Sequence, residues 1–185
     1  DAIRTYYEET NANVHRGMHH LAEKATTEFE AARETIAAFV GAPDASSIIF
    51  TRGTTESINL VAQAWGRKFL KAGDEVVLSI MEHHSNIVPW QMLAQANGVR
   101  LKYIPMLDDG SLDLEAYRVL LQGPVKLVSV THVSNALGTV NPIADIISLA
   151  HEAGARVMID SAQGVPHCPV DVTALDADFL AFSAH

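Results

Sequence analysis

One carboxylate ends a short apolar run in this sequence. Residues 156–160 are mostly apolar and end at Asp160, and the small residues of 161–164 follow. This pattern is typical of a buried parallel strand that delivers one charge to a site at the carboxyl edge of a sheet. An unpaired buried carboxylate is costly, and no Lys or Arg follows Asp160 in the sequence. We therefore expect a ligand to supply the partner of Asp160.

A second group of residues has the chemistry to bind an anion. Gly53, Thr54 and Thr55 lie in a predicted turn between a strand and a helix, where free backbone amides, the helix dipole and two hydroxyls converge. A plain capping box explains the same residues, so both interpretations stay open. The tract is not a Walker loop, because no Gly-Lys-Ser/Thr follows it. Ser183 and His185, which end the last predicted strand, can bind the same anion.

Two more polar groups follow predicted strands. His83 can lay its ring against a flat ligand, although a loop histidine that is solvated or caps a helix is the alternative. The adjacent His83 and His84 point in different directions, and neither the zincin spacing nor a cysteine ligand accompanies them, so we predict no metal site. Asn135 can donate and accept hydrogen bonds, but its segment taken alone indicates a turn.

The combination of these groups indicates the ligand. Dinucleotide binding explains them poorly, because the sequence has no Gly-x-Gly-x-x-Gly turn. A planar cofactor with one phosphate and a basic ring nitrogen explains them well, and pyridoxal phosphate is such a cofactor. Asp160 would then hold the pyridine nitrogen protonated, so that the ring can accept electrons from a carbanion.

Alternating helices and strands must position these residues. The periodicity of apolar residues predicts helices over 21–40, 57–70, 88–97, 112–121 and from 141 to 154. It predicts strands over 48–51, 76–80, 99–104, 126–131, 156–160 and 178–182. This order predicts an α/β fold with a mainly parallel sheet covered by helices on both faces, and ligands in such sheets bind beyond the carboxyl ends of the strands.

The composition excludes several classes of protein. The chain has 185 residues, 48% of them apolar and 19% charged, which suits one globular domain with its own core. A net charge of −9 argues against a nucleic-acid partner. The single cysteine and the lack of a leader or a long apolar stretch predict a cytoplasmic protein without a membrane partner. Both ends interrupt a pattern, so we expect residues 1–185 to be one domain that is truncated at both ends.

Several segments of the chain resemble one family. They are NVHRG at 13–17, RGTTESIN at 52–59, EHHSNIVPW at 82–90, THVSN at 131–135, DSAQG at 160–164 and FSAH at 182–185. They closely resemble the SufS-type cysteine desulfurases, within the class V aminotransferase group of fold-type I enzymes that depend on pyridoxal phosphate. The resemblance runs through the whole chain. It implies the large domain of such an enzyme, with three α/β/α layers and a sheet of the seven-stranded type.

The resemblance also implies roles for individual residues. The residues that would hold the cofactor phosphate are Thr54, Thr55, Ser183 and His185. His83 would stack on the pyridine ring and move protons in catalysis, Asp160 would pair with the ring nitrogen, and Gln163 would bond to the phenolic oxygen. The residues that would border the substrate or its entrance are Asn135, His15 and Arg16.

The activity implied by the resemblance is removal of sulfur from L-cysteine, which leaves L-alanine. The sulfur passes to an enzyme cysteine as a persulfide and then to a sulfur-acceptor protein, for iron-sulfur cluster assembly or other sulfur delivery. In the family the Schiff-base lysine directly follows the position of His185, and the persulfide cysteine and a small domain lie further on. Residues 1–185 alone should therefore be inactive, and Cys168 is interpreted as structural. The family also implies a homodimer.

Two kinds of alternative stay open. A selenocysteine lyase, a kynureninase-like hydrolase or an epimerase would use the same cofactor on another substrate, although the segments 14–17 and 82–86 favour the desulfurase. A non-catalytic relative of the cofactor domain would serve as a binding or assembly module. The residue after His185 separates these two kinds, because any residue but lysine excludes a Schiff base.

Overall fold

The computed structural model of this chain describes residues 2–184. They divide into two compact units, 2–49 and 50–184, and each is described by itself. None of the helices among these residues combines the length and the apolar character needed to cross a membrane.

The N-terminal unit is helical. Helix α1 (Ala2–Thr5) continues into a π-helical turn (Tyr6–Thr10), and a loop leads to α2 (His20–Phe39) and a 3-10 turn (Ala45–Ser47). Helix α2 begins where the His19 side chain accepts a hydrogen bond from the Ala22 N–H, and it ends before Gly41, whose φ is 65°. The helix predicted over 21–40 is thus confirmed.

The strand predicted over 48–51 is wrong. The segment runs through the end of the N-terminal unit into the start of the second one, and it joins none of the strand ladders in the described residues. Its β-branched and aromatic residues favour extended backbone, and Ile48 is indeed extended, but a strand also needs a partner. The Thr51 hydroxyl instead contacts the Ser57 hydroxyl at 2.8 Å, which ties the segment to the helix that follows.

The second unit contains the sheet. Its strands are β1 (Glu75–Ser79), β2 (Arg100–Ile104), β3 (Val125–Thr131), β4 (Arg156–Asp160) and β5 (Phe179–Ala181). They pair in the order β2-β1-β3-β4-β5, and every pair is parallel. The predicted α/β class with a parallel sheet is therefore confirmed. The described residues supply five strands, whereas the resemblance implies a seven-stranded type.

Helices connect these strands. They are α3 (Thr54–Val61), which continues through a π-helical turn (Ala62–Gly66) into α4 (Arg67–Phe69), a 3-10 turn (His84–Asn86), α5 (Val88–Asn97), α6 (Leu114–Leu120), α7 (Ile143–Glu152), α8 (Gly164–His167) and α9 (Val172–Leu175). Helix α5 matches the predicted bounds, with Pro89 in its first turn and Gly98 in the left-handed conformation at its end. The two short helices α8 and α9 were not predicted.

Apolar side chains cover both faces of the sheet. On one face Val77, Val128 and Val157 pack with Tyr117 of α6 and Ile146 of α7. The opposite face has its own cluster, which combines side chains of α3 and α5 with those of the strands; its largest members are Trp90, Ile58, Leu78, Leu93, Leu127 and Met158. Burying a large apolar side chain contributes about 1.5–3 kcal/mol, so the two clusters fix the strands between two helical layers.

The register places the ends of three strands side by side. Thr131 of β3 is aligned with Asp160 of β4, which in turn is aligned with Ala181 of β5. The residues that follow these strands therefore leave the sheet at one level, beside the first turn of α3.

Candidate functional site

A cleft of about 800 Å³ lies at the carboxyl edge of the sheet. It is lined by residues at or after the ends of β1, β3, β4 and β5 and by the first turns of α3. These are Arg52, Gly53, Thr54, Thr55, Glu56, Asn59, His83, Ser85, Thr131, Val133, Asn135, Asp160, Ala162, Gln163 and Ser183. This volume suits a small-molecule ligand, and seven of the predicted site residues line the same cleft.

Asp160 is the buried charge of the cleft. It ends β4, is only 3% exposed, and accepts a hydrogen bond from the Ala162 N–H at 3.1 Å. Burial raises the pKa of Asp160, against the weaker opposing effects of the Ala162 N–H and of the nearby His83. No Lys or Arg of residues 2–184 forms an ion pair with it. A cationic group in the cleft would stabilise its ionised form.

The first turn of α3 forms the polar wall where an anion would bind. The helix begins at Thr54 after Gly53, which has no side chain to cap it, and the residues of this first turn line the cleft, where the helix dipole favours an anion. The Ser183 hydroxyl lies 3.0 Å from the Thr54 nitrogen and 2.9 Å from the Thr54 hydroxyl. Gly53 precedes them with a φ of 141°, and a Cβ there would come within 3.2 Å of the Ser183 hydroxyl. Glycine therefore keeps this wall open.

His83 lies on the segment that follows β1. Its Nδ1 accepts a hydrogen bond from the Ser85 N–H at 3.2 Å and contacts the Ser85 hydroxyl at 2.8 Å. Because a backbone N–H can only donate, the neutral ring carries its proton on Nε2. The ring is exposed and lines the cleft, as stacking on a planar ligand requires.

Asn135 and Gln163 border the cleft from two loops. Asn135 lies in a tight turn after β3, which is closed by the hydrogen bond from the Ser134 N–H to the Thr139 oxygen at 2.9 Å. Gln163 directly precedes α8. Both side chains belong to exposed residues, so their amides are available to a ligand.

The remaining predicted residues lie elsewhere in the chain. His15 belongs to the N-terminal unit, where its Nε2 lies 2.7 Å from Glu30 and its ring packs edge-on against Phe29. Arg16 follows it and is exposed. Their role at a substrate entrance stays a prediction. His185 lies outside the described residues.

Glu82 is a buried charge next to His83 that the sequence did not single out, and it does not line the cleft itself. It is 8% exposed, and its carboxyl group accepts hydrogen bonds from the Thr131 N–H, the Asn86 amide and the Ser79 hydroxyl. Burial raises the pKa of Glu82 to about 7, against these hydrogen bonds and with a smaller contribution from the charge of Asp160. The available signal was its position, an acidic residue next to His83 and shortly after an apolar strand.

His132 and Ser161, which follow the last residues of β3 and β4, form a buried hydrogen-bonded pair next to Asp160. The Ser161 hydroxyl lies 3.1 Å from Nδ1 of His132, and both residues are buried. The backbone N–H of His132 donates to the backbone carbonyl oxygen of Asp160, and the backbone N–H of Ser161 donates to the backbone carbonyl oxygen of Ala181, both at 2.8 Å. Burial lowers the pKa of His132, so its ring stays neutral at neutral pH.

Replacing Gly164 by Ala should disturb this pair and destabilise the protein by about 3 kcal/mol, the cost of overpacking a filled core. A Cβ at Gly164 would lie 2.2 Å from the Ser161 hydroxyl and 2.3 Å from Nδ1 of His132. Gly66→Ala is the matched control, because the one short contact of its Cβ would be with the end of the flexible Leu93 side chain, at 2.7 Å. Urea unfolding of both variants measures the difference. Equal losses of stability would contradict the prediction.

The sheet and the cleft define a parallel α/β domain with a ligand site at the carboxyl ends of its strands. The chain belongs to the class-V aminotransferase family, whose model matches residues 1–185. It is 54% identical over its whole length to a cysteine desulfurase from Dickeya dadantii, of which it covers 45%. It is 52% identical to a probable cysteine desulfurase from Vibrio cholerae, of which it covers 46%. The resemblance found in the sequence is thus confirmed.

Solved structures agree with this assignment. The whole chain superposes on 45% of a cysteine desulfurase from Thermococcus onnurineus NA1, with a TM-score of 0.93 and 44% identity. It also superposes on 46% of the cysteine desulfurase CsdA from Escherichia coli, with a TM-score of 0.89 and 42% identity. The chain spans between 27% and 46% of the length of the curated relatives named above and of a probable cysteine desulfurase from Mycolicibacterium paratuberculosis.

Proposed function

We propose that this chain is the cofactor-binding part of a cysteine desulfurase that depends on pyridoxal phosphate. One observation carries the proposal: Asp160 is buried without an ion pair among the described residues, in the same cleft as the uncapped start of α3. The cleft thus offers one site for a cation and one for an anion. A protonated pyridine ring that bears a phosphate has both charges.

The residues of the cleft fit this cofactor. Thr54, Thr55 and Ser183 surround the start of α3 and would hold the phosphate. Asp160 would pair with the protonated ring nitrogen, and His83 would lie on the ring. Gln163 would donate a hydrogen bond to the phenolic oxygen. When bound, pyridoxal phosphate supplies an electron sink that makes the α-proton of an amino acid acidic.

The substrate proposed is L-cysteine. Asn135 lies at the cleft and can bond to a carboxylate through its amide N–H groups. His83 has the geometry to hold or move a proton, because the hydrogen bond from Ser85 to Nδ1 leaves Nε2 for the ligand. The names of the curated relatives at 52–54% identity favour cysteine over the other substrates of the family.

The complete enzyme is expected to be longer than these 185 residues, because its relatives are about twice as long. We place the Schiff-base lysine, the persulfide cysteine and the small domain in the additional sequence. A cytoplasmic homodimer that transfers sulfur to an acceptor protein, for iron-sulfur cluster assembly or another use, is part of the same proposal.

Turnover of L-cysteine by the complete enzyme tests the proposal. The enzyme is loaded with pyridoxal phosphate and incubated with L-cysteine and dithiothreitol, which reduces the persulfide. Alanine and sulfide should form in equal amounts, and the same enzyme stripped of cofactor should form neither. L-Selenocysteine and L-kynurenine are assayed in parallel. Failure to form alanine from L-cysteine would refute the desulfurase, and turnover of one of the other substrates would identify the relative.

A further inference from the structure

We propose that Glu82 is a positioning residue, whose buried carboxyl group ties the segment that carries His83 to the end of β3 beside Asp160. The proposal rests on the proposed function, because it concerns the ring-binding side of the same cleft. Glu82 does not line the cleft itself, so it would act through its neighbours.

The carboxyl group bridges two elements of the fold. Oε1 of Glu82 accepts a hydrogen bond from the Thr131 N–H at 2.9 Å and another from the Ser79 hydroxyl. Oε2 accepts from the Asn86 Nδ2 at 2.7 Å. Ser79 ends β1, Asn86 lies in the 3-10 turn after His83, and Thr131 ends β3. One side chain therefore joins both ends of the His83 segment to the central strand.

The orientation of Asn86 is fixed from its other side. Its Oδ1 accepts hydrogen bonds from the Trp90 indole at 3.0 Å and from the Ser129 hydroxyl at 2.6 Å. An indole N–H can only donate, so the NH₂ group of Asn86 must face Glu82. The Thr131 N–H can likewise only donate. Both oxygens of Glu82 are thus required as acceptors. The NH₂ group of a glutamine at this position would face either the Thr131 N–H or the Asn86 NH₂ group, and neither of these can accept a hydrogen bond.

Thr131, which donates to Glu82, and His83, which follows it in the chain, both line the cleft. Thr131 is aligned with Asp160 in the sheet, and it lines the cleft. His83 follows Glu82 directly and lines the cleft from the other direction. Loss of the hydrogen bonds of Glu82 would therefore loosen both His83, which would stack on the ring, and the end of β3, which lies beside Asp160.

The charge of Glu82 also reaches the cleft. Its carboxyl group is buried and its pKa is raised to about 7 by that burial, so it changes charge near neutral pH. The titratable groups around it are Asp160 on β4, whose charge raises this pKa further, and His83 on its own segment. The Ser79 hydroxyl is the one hydrogen-bond partner that can accept its proton. A negative Glu82 would stabilise protonated groups near Asp160.

The experiment compares Glu82→Gln with Glu75→Gln in the complete enzyme. Glu75 is the matched control, because it begins β1, the strand that leads to the Glu82 segment, and is similarly buried at 6% exposure. Its partner Arg100 lies 3.0 Å away, at the end of the sheet opposite to the cleft. Three quantities are measured: the Kd for pyridoxal phosphate by absorbance titration, the pH midpoint of the visible absorption of the bound cofactor, and the Tm of the cofactor-free protein.

Glu82→Gln should weaken cofactor binding about tenfold, the effect of one unsatisfied buried donor. It should also move the absorption midpoint to lower pH by about half a unit, because glutamine cannot become negative. Glu75→Gln should lower Tm and change neither of the other quantities. If Glu82→Gln does not fold, Ser79→Ala removes one of the three hydrogen bonds and should show the same changes in smaller degree.

The outcomes separate the two proposals. A wild-type enzyme that binds no pyridoxal phosphate overturns the proposed function itself. A wild-type enzyme that binds it, together with a folded Glu82→Gln variant of unchanged Kd and unchanged absorption midpoint, overturns only the positioning role. The positioning role is also overturned if the Glu82 and Glu75 variants lose the same amount of Tm and neither changes the Kd or the absorption midpoint of the cofactor.

Discussion

Replacing Asp160 by Ala is expected to lower the rate of alanine formation from L-cysteine by about 10²- to 10³-fold, the usual cost of removing one preorganised charge from an active site. Asp160 is 3% exposed and its pKa is raised by burial. Its negative charge therefore needs a cationic partner to be stable in the cleft. In the proposed enzyme that partner is the ring nitrogen, and without the carboxylate the ring would lose its proton and most of its electron-withdrawing power.

The fold should survive substitution of Asp160. A buried carboxyl with a raised pKa does not stabilise the cofactor-free protein by its charge, so Asp160→Asn should unfold at nearly the same urea concentration as the wild type. Asp178→Ala is the contrasting control: that carboxyl group binds Arg156 and lies 2.9 Å from His151 at the opposite end of the sheet. It should lose stability and keep its kcat. Full activity of Asp160→Ala would refute the role of Asp160.

The elements that could be predicted from sequence are those with local start and stop signals. Helix α5 matches its prediction because Pro89 favours the first turn and Gly98 adopts the left-handed conformation after the last one. The strand at 156–160 was also predicted with its observed bounds, because its apolar residues end abruptly at a charge. In these cases a few neighbouring residues decide the structure.

The failures depend on contacts between distant residues. The segment 48–51 has the composition of a strand, but whether it pairs depends on the rest of the fold. Helix α8 contains Pro166, and α9 begins three residues after Pro169. Each has only four residues, and helices this short depend on packing more than on helix propensity.

The same distinction applies to the site. His83, Asn135, Asp160 and Ser183 were predictable because parallel strands bring their carboxyl ends to one edge, whereas Gln163 was named only from the family resemblance. The Ser183 contact with Thr54, across 129 positions of sequence, was expected only as a shared anion site. Glu82 was missed because its burial depends on Thr131, which is 49 positions away. A loop glutamate is ordinarily solvated, and nothing within its own segment shows otherwise.

The cofactor-free protein should lose stability as the pH rises from about 5 to about 8, and Glu82 should account for about 3 kcal/mol of that loss. The pKa of Glu82 is about 7 in the folded protein, against an ordinary value of 4.5. Between these two values the unfolded chain releases its proton while the folded one keeps it. The stabilisation is thus complete below pH 4.5, decreases as the pH rises, and is lost above pH 7.

Glu82→Gln isolates this contribution, because glutamine does not titrate. The variant should be less stable than the wild type at low pH, because its amide faces a donor while the wild-type carboxyl group is protonated and fully stabilising. The difference between the two free energies of unfolding should narrow as the pH rises. Asp160, with a raised pKa, changes stability in the same direction, while Asp178, with a lowered pKa, acts oppositely. Asp160 and Asp178 are present in the wild type and in Glu82→Gln, so their contributions to the pH dependence largely cancel when the two proteins are compared.

Urea unfolding at about pH 5 and about pH 8, followed by tryptophan fluorescence, measures how the free energy of unfolding changes with pH in the wild type and in Glu82→Gln. Trp90 is a suitable reporter because it is fully buried and its indole donates to Asn86 within the same hydrogen-bonded group. Identical pH dependence of the two proteins would show that Glu82 is ionised throughout this range. It would then act only through its hydrogen bonds, and the absorption midpoint of the bound cofactor would owe nothing to its titration.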